Sequence, residues 1–329
     1  MSRLLCAFVL AAAAAAASAP STSSGQGYPS KPLRLVVPYA PGGVVDFIGR
    51  TLAQRLSEHL GQSVIGDNRP GAGGIIGVEA TAKSAPDGYT LVLMDPAIVI
   101  NPVLQDAVPY DVIRDLTAVS IVGSSPLVLV SNPALPVKNL TELIEYAKAH
   151  PGKLNFASAG IGTTPHMAGE LMKLRIGAQM THVPYKGMGP AMADVVAGRV
   201  QFSFGSITSA LPFLKDNRIR GLATTGAKRS GALPDLPTMI EAGAGSGLSG
   251  FEVELWLGLF GPAGLPRDVL ARLNAETKKA IEDPQARAAF AKVGVEPRGT
   301  SAGDAADFIR AENEKWGKVV RDAKLKGAG

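Results

Sequence analysis

The stretch Leu33-Arg34-Leu35-Val36-Val37-Pro38-Tyr39-Ala40-Pro41-Gly42-Gly43-Val44-Val45-Asp46-Phe47-Ile48 decides the fold class. Its first five residues form a near-continuous apolar run, of the type a parallel sheet buries on both faces. Pro41-Gly42-Gly43 breaks the chain there. Ile48, Leu52, Leu56 and Leu60 then repeat at four-residue spacing up to Gly61, which predicts a helix closed by a glycine C-cap. Strand, glycine turn and helix in succession begin a β-α-β unit. Asp46 falls near the third helical position, where an acid caps free N–H groups and suits the dipole. A contact with a ligand is its other reading.

The alternation continues outward. Strands are expected at residues 63–65 and 89–94, with a glycine-rich turn at 68–74 and a helix at 75–84 between them. Further strands are expected at 127–130, 154–157, 179–183, 200–204, 219–224 and 251–260. Helices are expected at 139–150, 165–174, 190–197, 267–281 and 302–323. This pattern argues for an α/β fold with parallel sheets covered by helices, and about 300 residues usually divide into two domains.

The N-terminus bears on destination. Arg3, the apolar run from Leu4 to Ala17, the Ala17-Ser18-Ala19 site and a polar spacer to Gly27 have the layout of a secretory signal peptide. The run is shorter than the roughly 18 residues a membrane span needs. Cys6, the only cysteine, lies inside that signal, so the mature chain has neither disulfide nor thiolate metal site. Of the 33 Lys and Arg, removal of Arg3 leaves 32 against 28 acids, a formal +4. These charges are mixed along the chain. Nucleic-acid binding needs a concentrated basic stripe and is not expected.

Three turns repeat the opening architecture: Pro41-Gly42-Gly43, residues 158–165 (SAGIGTTP), and Lys186-Gly187-Met188-Gly189-Pro190. In the second, Thr164 fits the N-cap and Pro165 the first helical position; in the third, Gly189 and Pro190 fit those roles. Free amides at such helix starts seat anions. One such turn alone is ordinary capping, whereas several in one α/β chain favour a cleft at the C-terminal ends of the strands.

Other chemistries are thinly supported. Gly71-Ala72-Gly73-Gly74-Ile75-Ile76-Gly77 misses the dinucleotide spacing. The histidines His59, His150, His166 and His182 show no paired metal spacing, and no G-x-S-x-G elbow is present. A Ser158–His166–Asp46 triad remains conceivable only as an assembly in space, the basis of an exported-hydrolase alternative.

Taken together, "PYAPGGVVDFIGR", "DNRPGAGGIIGVEA", "APDGYTLVL", "NFASAGIGTTPHMAGELMK", "HVPYKGMGPAMADVVAGRV", "LPDLPTMIEAG", "WLGLFGPAGLPRDVLARLNAE" and "EKWGKVVRDA" resemble, in order, the landmarks of the Bug family. These are extracytoplasmic solute receptors of tripartite tricarboxylate transporters. The resemblance runs from Tyr28 to about Ala323. It implies a two-domain periplasmic-binding-protein fold (type II-like) with a ligand cleft between the domains. After a signal peptide and spacer (1–27), the first domain is expected at 28–124 plus 219–329 and the second at 125–218.

The resemblance further implies a non-enzymatic periplasmic receptor, a monomer without cofactor or metal. It would capture a small carboxylate (a dicarboxylate, tricarboxylate or aromatic acid) and deliver it to an inner-membrane permease. A sensor kinase as the partner is an alternative. The ligand-binding turns of the family map onto Tyr39, Ala40, Pro41, Gly42, Gly43 and Asp46, and onto Ser158, Ala159, Gly160, Gly162, Thr163, Thr164 and His166. Tyr185 is a further candidate for the wall. Two positions depart from the family pattern, Gln201 and Gly205, where acids or Asn are usual. If position 205 touches the ligand, an acidic partner is lost and space opens beside Ser206, which disfavours an amino-acid ligand.

Overall fold

A computed structural model describes residues 27–327; the signal peptide expected at the N-terminus lies almost wholly outside them. The chain begins with β1 (Leu33–Val37), α1 (Val44–Leu60), β2 (Val64–Asn68), α2 (Ile75–Ala82), β3 (Thr90–Met94), α3 (Ala97–Leu104) and β4 (Leu116–Ser131). It continues with α4 (Leu140–Ala149), β5 (Leu154–Ser158), α5 (Thr164–Ile176), β6 (Met180–Pro184), α6 (Met188–Val196), β7 (Phe202–Ser206), α7 (Ile207–Lys215) and β8 (Arg220–Thr224). It ends with α8 (Met239–Ala242), β9 (Glu254–Pro262), α9 (Arg267–Glu282), α10 (Pro284–Lys292), β10 (Glu296–Pro297) and α11 (Ala302–Asp322).

The expected β-α-β start is present. Ile48, Leu52, Leu56 and Leu60 of α1 are all buried, against Leu33, Leu35 and Val37 of β1. Gly61 takes the left-handed conformation (φ 67°) that ends a helix, and its amide donates to the Ser57 carbonyl. β1 pairs in parallel with β2 on one side and β3 on the other. This sets the C-terminal ends of all three strands along one edge.

Two lobes hang on one strand. Along Leu116–Pro126, β4 pairs antiparallel with β9, which in turn pairs with β3. Along Leu127–Ser131 it pairs with β7 and β8. The strand order among the described residues is therefore β2-β1-β3-β9-β4-β7-β5-β6, with β8 and β10 also on β4. β5 lies parallel to β6 and β7 and carries the second lobe's turn at its C-terminal end. The chain crosses back beside β4 at Thr225, whose hydroxyl accepts from the Leu127 amide at 2.8 Å. One large apolar cluster, including Leu127, Phe156, Phe204, Trp256 and Trp316, extends through both lobes.

The structure differs from the sequence reading in several places. β4 is sixteen residues long, where only 127–130 reads as strand. α3, α7, α8 and α10 were not anticipated. The N-cap position of α5 is Thr163 rather than Thr164, and that of α6 is Gly187 rather than Gly189, neither with a capping side-chain bond. A division at residue 219 puts β8 in the first domain, whereas its hydrogen bonds run to the second half of β4.

Candidate ligand cleft

The first jaw is the turn between β1 and α1. Gly42 has φ 101°, a left-handed conformation open to glycine, and its amide donates to Asp46 Oδ2 at 3.0 Å. The same oxygen accepts from Arg50 Nε at 3.1 Å, and Oδ1 accepts from Asn68 Nδ2 at 2.8 Å. Asn68 also donates to the Tyr39 carbonyl. Asp46 is only 4 % exposed, and all its bonds lie within its own lobe. Burial alone would raise its pKa, but hydrogen bonds from Arg50, Gly42 and Asn68 outweigh that and hold the carboxyl below its usual value. Asp46 thus organises the turn from beneath. Ala40, Pro41, Gly42 and Gly43 are exposed, and a Cβ built on either glycine meets nothing within 4 Å.

The second jaw is the turn between β5 and α5. Ser158 is fully buried, and its Oγ lies 2.6 Å from His182 Nε2 on β6 while accepting from the Gly160 amide at 3.1 Å. The parallel register sets Phe156 opposite His182, which brings the imidazole beneath the serine. The His182 ring stacks on His166 at 4.0 Å between centroids and on Phe156 at 5.0 Å. His166 Nδ1 accepts from the Gly162 amide at 3.1 Å, so the neutral ring carries its proton on Nε2. Burial, helped by His182 and Lys173, lowers the His166 pKa to about 3. Burial, helped by Lys173, lowers that of His182 to about 4. Both rings are neutral at pH 7.

The cap of α5 decides what this turn offers. The Thr163 hydroxyl donates back to the Gly160 carbonyl at 2.7 Å, and no side chain caps the helix. The helix's first amides are left without the partner a threonine N-cap would supply. Thr164 is buried, and Ala159, Gly160 and Thr163 are half-buried along the turn. The Ala159 carbonyl accepts from the Gly187 amide, joining this turn to the third glycine turn.

The remaining candidates are engaged elsewhere. The Tyr185 hydroxyl donates to Asp194 Oδ2 at 2.6 Å; burial and that carboxylate push its pKa up to about 12. Ser206 caps α7 by accepting from the Ser209 amide. No space opens beside it as expected from Gly205. A Cβ there would meet Ser209 Oγ at 3.3 Å and Met192 Sδ at 3.4 Å, so α6 and α7 already fill the position.

The jaws meet through α3. A Cβ on Gly162 would lie 3.1 Å from Leu104 Cδ2 and 3.4 Å from Asn101 Oδ1. Asn101 Nδ2 in turn donates to the Gly73 carbonyl, linking the serine turn to the glycine-rich turn of the first lobe. Those glycines serve close packing: a Cβ on Gly74 would lie 2.4 Å from Met94 Cε, and one on Gly77 2.6 Å from Pro38 Cβ.

Ser158, His166 and Asp46 do not assemble into a triad, since each is committed to a different partner. His182, Asn68 and Asn101, which brace the two turns, were not among the candidates that sequence reasoning named. Their roles depend on strand register and packing between elements, which leave no spacing signal along the chain.

The comparisons agree with this architecture. The model of the tripartite tricarboxylate transporter family receptor matches residues 48–325. BugT of Bordetella pertussis is 38% identical, with 99% of each chain covered. The solved structure of Rpa4515 from R. palustris with adipate is 35% identical, with a TM-score of 0.78 over 90% of this chain and 98% of that one. MatC from Rhodopseudomonas palustris with bound malate is 30% identical, with a TM-score of 0.75 over 89% of this chain and all of that one. With the two-lobed periplasmic-binding-protein fold and its paired glycine turns, the chain belongs to the tripartite tricarboxylate transporter receptor family, which includes the Bug solute-binding proteins.

Proposed function

We propose that this chain is a periplasmic receptor that captures a small carboxylate between its lobes and presents the closed form to a tripartite-type membrane permease. The observation that carries the reading is the start of α5, where Thr163 turns its hydroxyl away and leaves amides beside a glycine turn. Such amides and the helix dipole stabilise an anion without a salt bridge that must be broken on release. Charge-assisted hydrogen bonds of this kind contribute about 1.5–3 kcal/mol each. The similar structures with adipate and malate support a carboxylate as the class of ligand.

In this reading the walls are Tyr39, Ala40, Pro41, Gly42 and Gly43 on one side, with Asp46 beneath them. On the other side are Ser158, Ala159, Gly160, Gly162, Thr163, Thr164 and His166, with Tyr185, Gly205 and Ser206 further out. The first lobe comprises residues 28–124 and the chain from β9 onward, and the second 125–224. Closure bends the two crossings at Ser125–Leu127 and Thr225. The N-terminal signal directs export, and the receptor acts as a monomer without catalysing a reaction. No helix among the described residues is long and apolar enough to cross a membrane.

Isothermal titration of the exported form with dicarboxylates, citrate and aromatic acids tests the reading, alongside native mass spectrometry of any molecule retained through purification. Saturable binding of a carboxylate is expected, and a ligand at a hundred times its Kd raises stability by about 2.7 kcal/mol. A retained ligand without an acidic group, or no response to the panel, would refute it.

A further inference from the structure

The first lobe carries a second carboxylate at the cleft edge, Asp95, for which the proposed function so far has no use. Val36 of β1 stands opposite Val92 of β3, so three residues further on Tyr39 and Asp95 leave the sheet side by side. The Tyr39 hydroxyl donates to Asp95 Oδ1 at 2.9 Å, and the Ala97 amide donates to the same oxygen at 3.0 Å. Among the described residues Oδ2 accepts from no other residue, and Asp95 makes no ion pair. Asp46 differs, because Arg50 offsets its charge. Asp95 is half-buried, and burial raises its carboxyl above the usual range despite the bonds from Ala97 and Tyr39. A partly desolvated carboxylate with an idle oxygen gains from any donor brought to it.

The facing lobe has the opposite character. Its turn offers uncapped amides over two neutral imidazoles, and its position 205, where the resemblance leads one to look for Asp or Asn, is a packed glycine. Asp95 lies two residues before α3, the helix on which the serine turn rests through Ile100, Asn101 and Leu104. The cleft therefore has an anion-accepting side and an acidic side.

We propose that Asp95 determines specificity: its free oxygen receives a hydroxyl or ammonium donor on the ligand, so the ligand lies with a carboxylate on the serine turn and its donor group on the first lobe. The inference rests on the carboxylate-receptor reading and sharpens the ligand class to hydroxy- or amino-substituted acids. It also reverses the expectation, drawn from Gly205, that an amino acid is disfavoured. An acid carrying no donor would set its far end against Asp95 without compensation, and a second carboxylate there would be repelled.

Three matched sets test it by titration calorimetry: succinate against malate and aspartate, adipate against 2-aminoadipate, and benzoate against 4-hydroxybenzoate. In the set that fits the cleft, a donor-bearing acid is expected to bind at least about tenfold tighter than its parent, the effect of one charge-assisted hydrogen bond. Malate against aspartate, or the set that responds, tells hydroxyl from ammonium. Asp95→Asn keeps one oxygen for Tyr39 and Ala97 and puts an NH2 where the free oxygen stands, so the preference is expected to vanish or reverse. Equal or tighter binding of the parent acids, or a preference that Asp95→Asn leaves intact, overturns the inference while the receptor reading stands. Binding of no carboxylate in the panel removes both. The wild-type sets decide the matter even where the variant does not fold.

Discussion

Asp46→Asn changes one oxygen to nitrogen at the heart of the first jaw, and its cost follows from the partners of the carboxylate. All three are donors: the Gly42 amide and Arg50 Nε on one oxygen, Asn68 Nδ2 on the other. An asparagine has a single acceptor, so either orientation faces its NH2 against a donor. If the amide oxygen keeps Gly42 and Arg50, the NH2 meets Asn68. Asn68 cannot turn over freely, because it also donates to the Tyr39 carbonyl and accepts from Arg50 Nη2. Arg50 is largely exposed and its ion pair is screened, which leaves the buried bond to Asn68 as the main loss. One lost bond of this type costs about 1–3 kcal/mol. For a chain of this size that is roughly a 2–6 °C fall in Tm.

Urea denaturation read by circular dichroism measures the loss, and calorimetry with the best carboxylate measures affinity. The depressed Asp46 pKa means its contribution is present above the unfolded pKa of about 3.9 and fades as pH falls through the lower folded value. The gap between wild type and variant should therefore be full at pH 7 and shrink toward pH 3. Unchanged stability with lost affinity would refute the argument and make Asp46 a ligand contact. Loss of stability with affinity within about threefold supports the organising role.

Two further outcomes follow from the second jaw. His182→Phe keeps a ring to stack on His166 and Phe156 but removes the partner 2.6 Å from Ser158 Oγ; affinity for a carboxylate should fall about tenfold while Tm changes little, and His182→Gln should recover most of it. Equal affinity in the Phe variant would separate the imidazole from ligand binding. Because His166 and His182 bind protons more weakly folded (about 3 and 4) than unfolded (6.5), stability should be greatest above pH 6.5 and fall steadily toward pH 4. Nitrogen-15 spectra of the imidazoles should show both rings neutral at pH 5.5, and a midpoint near 6.5 for either would contradict the packing.

What could be read in advance depended on how a residue's role is encoded. The β1–α1 unit was legible because burial leaves a period in the sequence, Ile48 through Leu60, and Gly61 marks its end. β4 was not, because Ser120, Ser124 and Ser125 interrupt its apolar run although all three are buried; the Ser120 hydroxyl finds the Thr300 carbonyl, 180 residues away. α3 hid for the converse reason: nearly every side is covered, so no polar face alternates with the apolar one, and Pro102 sits inside it. In the site, the glycines and threonines of the serine turn were visible as a helix start. The Ser158–His182 bond was not, since it depends on the β5–β6 register and not on spacing along the chain. The shift of the cap from Thr164 to Thr163 is one residue in sequence, yet it changes which amides are free.

The strand shared by the two lobes also fixes an order of assembly. The partners of Leu127–Ser131, in β7 and β8, lie within the next hundred residues and are complete by Thr224. The partner of Leu116–Pro126 is β9, which ends only at Pro262, and β3 pairs with that same late strand. A chain emerging from its N-terminus therefore holds β1 to β3 and the front half of β4 without their central neighbour until most of its length has appeared. Local pairings form ahead of distant ones. The contiguous lobe is thus able to fold first and serve as a template, while the lobe made earliest is finished last. That delay keeps the leading segment pliable while the rest of the chain is made. It also means that the lobes are not interchangeable modules, because splicing in a foreign lobe at either crossing would replace half of a strand that both sheets need.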